Sequence, residues 1–145
     1  MKYFILYFLF FMYSNYLFSQ NKKTFYEVVE KGKVLKSNKK NKKELTFLGS
    51  IRDSSDNILY YVVTNIEIVK AFKVSHGHII VFFLDSKYNV VRRFELGHPN
   101  EMPYKLEANI LYFYCEDEKG NDSIYQNIIG TVLPAVLCVS LNNCY

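Results

Sequence analysis

The stretch from Ile79 to Leu96 constrains the fold of this chain more than any other. Six consecutive apolar residues, Ile79 to Leu84, run into Asp85-Ser86-Lys87-Tyr88-Asn89 and then into Val90 to Leu96. A short apolar run bounded by turn formers reads as a strand buried on both faces. Asp, Ser and Asn supply the turn, Asn because it tolerates the left-handed backbone that closes a short loop. Beyond it, Val90, Phe94 and Leu96 fall on one face and Val91, Arg93 and Glu95 on the other, the period of a strand. Arg92 breaks that pattern and is expected at an edge or a carboxylate. A β-hairpin therefore stands at the centre of the chain.

The pattern repeats on either side. Glu44 to Arg52 reads as a strand and Asp53-Ser54-Ser55-Asp56-Asn57 as its turn. Ile58 to Val63 is a second continuous apolar run. Asn65 to Phe72 prolongs it by alternation, with a helical turn at Ile66–Lys73 as the rival. The loop Gly97 to Pro103 is stiffened by two prolines. Tyr104 and Leu106 then alternate with Lys105 and Glu107, Ala108-Asn109 offers a two-residue turn, and Ile110 to Cys115 returns. A polar turn at Glu116–Asn121 leads to a strand at Ser123–Ile129, and Thr131 to Cys144 is an apolar tail. These six to nine short strands joined by Asn, Asp and Gly turns argue for an all-β antiparallel meander or sandwich. The alternative is α+β with one short helix, for which Lys23–Glu30, within the ambiguous stretch Gln20–Glu30, is the other candidate. There Thr24 and Glu27 fit a capping box and Phe25, Val28 and Val29 have helical spacing. The β-branched and aromatic content tilts that stretch toward a strand instead, and Gly32 ends it in either case.

Met1 to Ser19 has the layout of a secretory signal peptide: Lys2, then ten uncharged residues from Phe4 to Tyr13, then a small residue at Ser19 before Gln20. The rival reading is a retained anchor, but the apolar run falls short of the roughly 20 residues a spanning helix needs. Cleavage leaves residues 20–145 as one domain, without a membrane span. The expected location is periplasmic, cell-surface or secreted, in a bacterium.

Charge and motifs exclude more than they include. The net charge of +4 is too small to name a partner. Lys31 to Lys43 carries seven lysines in 13 residues and reads as a solvated, mobile loop. A nucleic-acid partner is disfavoured, because no arginine or aromatic side chain is interleaved there to grip phosphates or stack on bases. His76, His78 and His98 form the one metal candidate, a weak one, since Gly77 between the first two suggests a turn. No cofactor motif appears. Three cysteines in an exported chain imply one disulfide, most simply Cys138–Cys144, with Cys115 left as a thiol. Cys115–Cys138 is the other pairing open.

The functional expectation is therefore a small exported β-domain that acts by binding a protein or glycan in the cell envelope, as an inhibitor or assembly subunit. Its candidate platform is Tyr60, Tyr61, Tyr104, Tyr112 and Tyr114, amphipathic rings suited to interfaces; packing within the core is their other use. The competing expectations are a metal-assisted hydrolase built on His76, His78 and His98, and a structural envelope protein.

Overall fold

The computed structural model describes residues 22–37, 41–71, 74–116, 122–140 and 143–145. The leader at residues 1–19 and most of the acidic turn at 116–121 lie outside them. A helix, α1, occupies residues 22–31. Ten strands follow: β1 (Lys33–Ser37), β2 (Asn41–Arg52), β3 (Ile58–Ala71), β4 (Val74–Leu84), β5 (Val90–Leu96), β6 (Pro103–Glu107), β7 (Ile110–Glu116), β8 (Asp122–Ile128), β9 (Cys138–Ser140) and β10 (Asn143–Cys144). They form three antiparallel sheets in the orders β1-β2-β3-β4-β5, β6-β7-β8 and β10-β9. The expected all-β architecture is present, with one short helix added. No helix among the described residues is long and apolar enough to cross a membrane.

The continuous apolar runs of β3 and β4 have the predicted cause, because the five-stranded sheet is covered on both faces. Val62, Ile79, Val81 and Phe83 pack against Leu111 and Phe113 of the three-stranded sheet and against Ile129, Leu133, Leu137 and Val139 of the tail. Val63, Leu84 and Phe82 point the other way and meet Phe25 and Val28 of α1. The alternating positions of one strand thus feed two cores. Residues 22–31 fold as a helix rather than the favoured edge strand because this outer face must be covered. Phe25, Val28 and Val29 form one helical stripe, whereas a strand would divide them between two faces. Thr24 lies inside the helix instead of capping it. Gly32 ends α1 with φ of 76°, a left-handed cap that glycine accepts without strain.

Residues 33–37 and 41–43 of the lysine-rich segment are strand rather than the loop their charge suggested. Strand β1 and the start of β2 pair through it, Lys33 opposite Thr46 and Ser37 opposite Lys42. Carboxylates distant in sequence receive the ammonium groups: Lys33 lies 2.6 Å from Glu44 and Lys43 lies 3.9 Å from Glu67. Val34 and Leu45 anchor the pair in the helix-side core. The stretch at 65–71, by contrast, continues β3 as alternation predicted.

Strand β2 serves both cores by changing face. Up to Phe47 its odd residues point toward α1; Leu48 is an extra residue between the Phe47–Val63 and Gly49–Val62 pairs. This bulge turns Ile51 toward the opposite core. Gly49 has φ of 149°, and a Cβ there would stand 3.2 Å from Leu106 Cδ2. Glycine lets β2 and β6 approach here without displacing the Leu106 side chain.

The β2–β3 and β4–β5 hairpins close with the same five-residue device. Asp85 Oδ1 accepts from the backbone N–H groups of Lys87 and Asn89 at 2.8 and 2.9 Å, and Oδ2 accepts from Asn89 Nδ2 at 2.7 Å. Asp53 repeats this with Ser55, Asn57 and the Asn57 amide at 2.8, 2.9 and 3.0 Å. The fourth residue of each loop is left-handed, Asp56 at φ 64° and Tyr88 at φ 61°. Both loops read Asp-Ser-x-x-Asn, a local repeat.

Candidate functional site

The three-stranded sheet is where the molecule departs from an ordinary surface. Its inner residues, Leu111 and Phe113, belong to the core. Antiparallel pairing sets Ile110 beside Ile128, Tyr112 beside Gln126 and Tyr114 beside Ile124 on the outer face. That face would carry polar side chains if its only task were to meet water. Instead Tyr114 is 59% exposed, Ile124 56% and Ile128 76%.

Tyr104 joins them through a bulge. Pro103 pairs with Phe113 and Lys105 with Tyr112, so Tyr104 is an extra residue. Simple alternation placed Tyr104 with Leu106; the bulge sends Tyr104 outward while Leu106 packs against the core. The Tyr104 ring lies stacked on Tyr114, centroids 4.0 Å apart, and 6.3 Å from Tyr112. Lys105 covers the third ring, its Nζ 5.5 Å from the Tyr112 centroid, a cation–π arrangement. A hydrogen bond to Glu107 at 2.6 Å fixes that ammonium and raises its pKa above the usual lysine value.

The expected platform therefore divides. Tyr104, Tyr112 and Tyr114 come together on the surface. Tyr60 packs against the inter-sheet core and donates its hydroxyl to the Thr131 carbonyl at 3.2 Å. Tyr61 lies against the helix-side core, its ring parallel to Tyr88 with centroids 5.4 Å apart. Burial, and next the neighbouring Tyr61, push the Tyr88 hydroxyl pKa upward. These last two tyrosines do structural work.

At the end of the same sheet lies a cavity of about 380 Å³, lined by His98, Asn100, Glu101, Tyr114, Cys115, Asp122, Val139, Ser140 and Asn143. Its wall is built around Glu101, in a single 3-10 turn at Pro99–Glu101. The carboxylate accepts from the His98 backbone N–H at 2.7 Å, from Asn143 Nδ2 and from the Tyr145 hydroxyl. A Cβ on Gly97 would stand 2.8 Å from that hydroxyl, so the close approach of the C-terminal residue depends on glycine. The disulfide Cys138–Cys144 joins β9 to β10 and holds the far wall, as its spacing predicted. Cys115 is the free thiol; its Sγ lies 3.0 Å from Ser123 Oγ.

The described histidines, His78 and His98, stand in different settings. His78 Nδ1 is 3.0 Å from Glu95 Oε1 on the five-stranded sheet, His98 is at the cavity, and the His76 side chain lies outside the described residues. No group of three His, Cys, Asp or Glu side chains among the described residues is arranged to hold a metal. Neither the bulge at Tyr104 nor the cavity was foreseen. The cavity draws on residues from 98 to 143; His98, Tyr114 and Cys115 stood out in the sequence, each for a different role, and nothing there joined them. No protein-family model matches the chain, and no curated protein or solved structure matches it.

Proposed function

We propose that this chain is an exported binding domain that takes a protein partner on the outer face of its three-stranded sheet. The observation that carries the reading is the exposed Tyr104–Tyr114 stack continuing into Ile124 and Ile128. Contiguous exposed apolar and aromatic side chains on a sheet face mark an interaction surface more often than a solvated one. Two branched aliphatic residues on a flat face suit the apolar side chains of a protein. The aromatic stack gives such an interface rigid rings that lose little freedom on binding. Export is supported by the leader-like Met1–Ser19 and by a disulfide that an oxidising compartment favours.

Native mass spectrometry of the protein drawn from the envelope or medium of its host tests this. The expected result is a mass for residues 20–145 in a stoichiometric complex with a second protein. That complex is lost in a Tyr104→Ser/Ile128→Ser double variant that melts at the wild-type temperature. A bare monomer, or a complex indifferent to the double substitution, overturns the reading of the face. A mass that retains residues 1–19 overturns the cleavage of the leader.

A further inference from the structure

We propose that the cavity at the end of this sheet is a binding site for a primary ammonium group, the charged end of a lysine side chain or of a chain terminus. As a description of the partner it rests on the reading of the tyrosine face above, since Tyr114 belongs to both. The cavity places two carboxylates, Glu101 and Asp122, beside the amide side chains of Asn100 and Asn143 and the Ser140 hydroxyl, with no lysine or arginine among the described residues that line it. Glu101 is held in place by neutral donors: Oε2 accepts from the His98 N–H and the Tyr145 hydroxyl, and Oε1 accepts from Asn143 alone. Each carboxylate oxygen accepts about two hydrogen bonds, so Oε1 keeps a lone pair for a further donor.

An ammonium group brings three donors on a compact charge. Glu101, Asp122 and an amide or hydroxyl oxygen satisfy them, and charge assistance makes such bonds about twice as strong as neutral ones. The rest of the lining fits the stem that carries the charge. Val139 is buried, the Cys115 thiol is apolar in character, and the exposed Tyr114 side chain borders the cavity, where methylene groups can pack against it. A volume of about 380 Å³ lies within the range of small-ligand sites. An anionic ligand would meet two carboxylates of its own sign.

The test is a titration of 15N-labelled protein at neutral pH with Nα-acetyl-lysine amide, set against its uncharged isostere Nα-acetyl-norleucine amide. The lysine derivative is expected to move the amide resonances of His98, Glu101, Asp122 and Ser140 saturably. Its Kd should be on the order of 1 mM, weakened at least about threefold by Asp122→Asn and by raising salt from 0.05 to 0.5 M. Equal shifts from the norleucine derivative, the absence of saturable shifts, or indifference to Asp122→Asn would each overturn the site. The two readings fail separately. If Tyr104→Ser/Ile128→Ser abolishes the native complex while the lysine derivative does not bind, the face stands and the cavity falls. If the derivative binds while the complex survives that double substitution, the reverse holds.

Discussion

Ala108 holds φ of 49° beside Asn109 at φ 63°, the backbone of a tight turn with both central residues left-handed. Asn tolerates that region and alanine does not, its Cβ crowding the following carbonyl. Asn109 cannot be exchanged. Its Oδ1 accepts from the Arg52 N–H at 3.0 Å and its Nδ2 donates to the Arg52 carbonyl at 2.7 Å, tying the turn to the end of β2. Ala108 is exposed, so Ala108→Gly removes only strain. It should raise stability by about 0.5–1 kcal/mol, read as a higher urea midpoint at constant slope. The aspartates of the Asp-Ser-x-x-Asn loops give a second residue-scale expectation. Burial pushes the Asp85 carboxyl up, but hydrogen bonds from the Asn89 side chain and the Asn89 and Lys87 backbone outweigh it, and its pKa is lowered. Asp53 is lowered by its Asn57 and Ser55 hydrogen bonds. A carboxyl group with a depressed folded-state pKa stabilises above its unfolded pKa, and that contribution is lost as pH falls through the folded value. Thermal stability should therefore decline from about pH 4 downward, and Asp85→Asn should flatten part of that decline in melts taken between pH 2 and 6.

At the scale of elements, the bulge in β2 is the joint on which both cores depend. Gly49→Ala brings a Cβ to 3.2 Å from Leu106 at a backbone angle that L-residues seldom adopt. It should cost about 1–3 kcal/mol; chemical denaturation within 0.5 kcal/mol of wild type would show that β6 yields freely. Strands β3, β4 and β5 were legible because their apolar runs are long and their Asp-Ser-x-x-Asn turns are local. Helix α1 was not. Phe25 and Val29 occur in both a helical stripe and a strand alternation, and the covering of the outer sheet face decides between them. The lysine segment misled for a related reason. Its charges repel within the segment, but Glu44 and Glu67, which receive them, become neighbours only through β1–β2–β3 pairing. Of the tyrosines, Tyr112 and Tyr114 stand two apart in β7 and so share a face. Nothing local separated Tyr60 from Tyr61, because a run buried on both faces carries no polar marker of sidedness.

Across the whole molecule, α1, the five-stranded sheet and the three-stranded sheet with its tail stack so that the central strands of the middle layer bury side chains on both faces. The outer covering is thin on the helix side, where Phe25 and Val28 are its buried contributors. Val28→Ala should cost about 1–3 kcal/mol and raise hydrogen exchange in α1 and β1 before β7 and β8. Uniform acceleration would mean that the helix and both sheets open as one unit. The tail is held differently. Cys138–Cys144 closes a seven-residue loop, and Cys138→Ser should cost about 2 kcal/mol, measured by denaturation without reductant.

Both large sheets are pure meanders, with every strand paired to its predecessor in sequence. Such a chain can be assembled in the order in which it is made, each new strand meeting an edge already present, with short loops to close and little searching. The same economy of search applies to the three sulfurs. Cys115 faces Ser123 across the β7–β8 hairpin, while Cys138 and Cys144 stand six positions apart and close the shortest loop that any two of the three can form. Sequence spacing favours the correct disulfide.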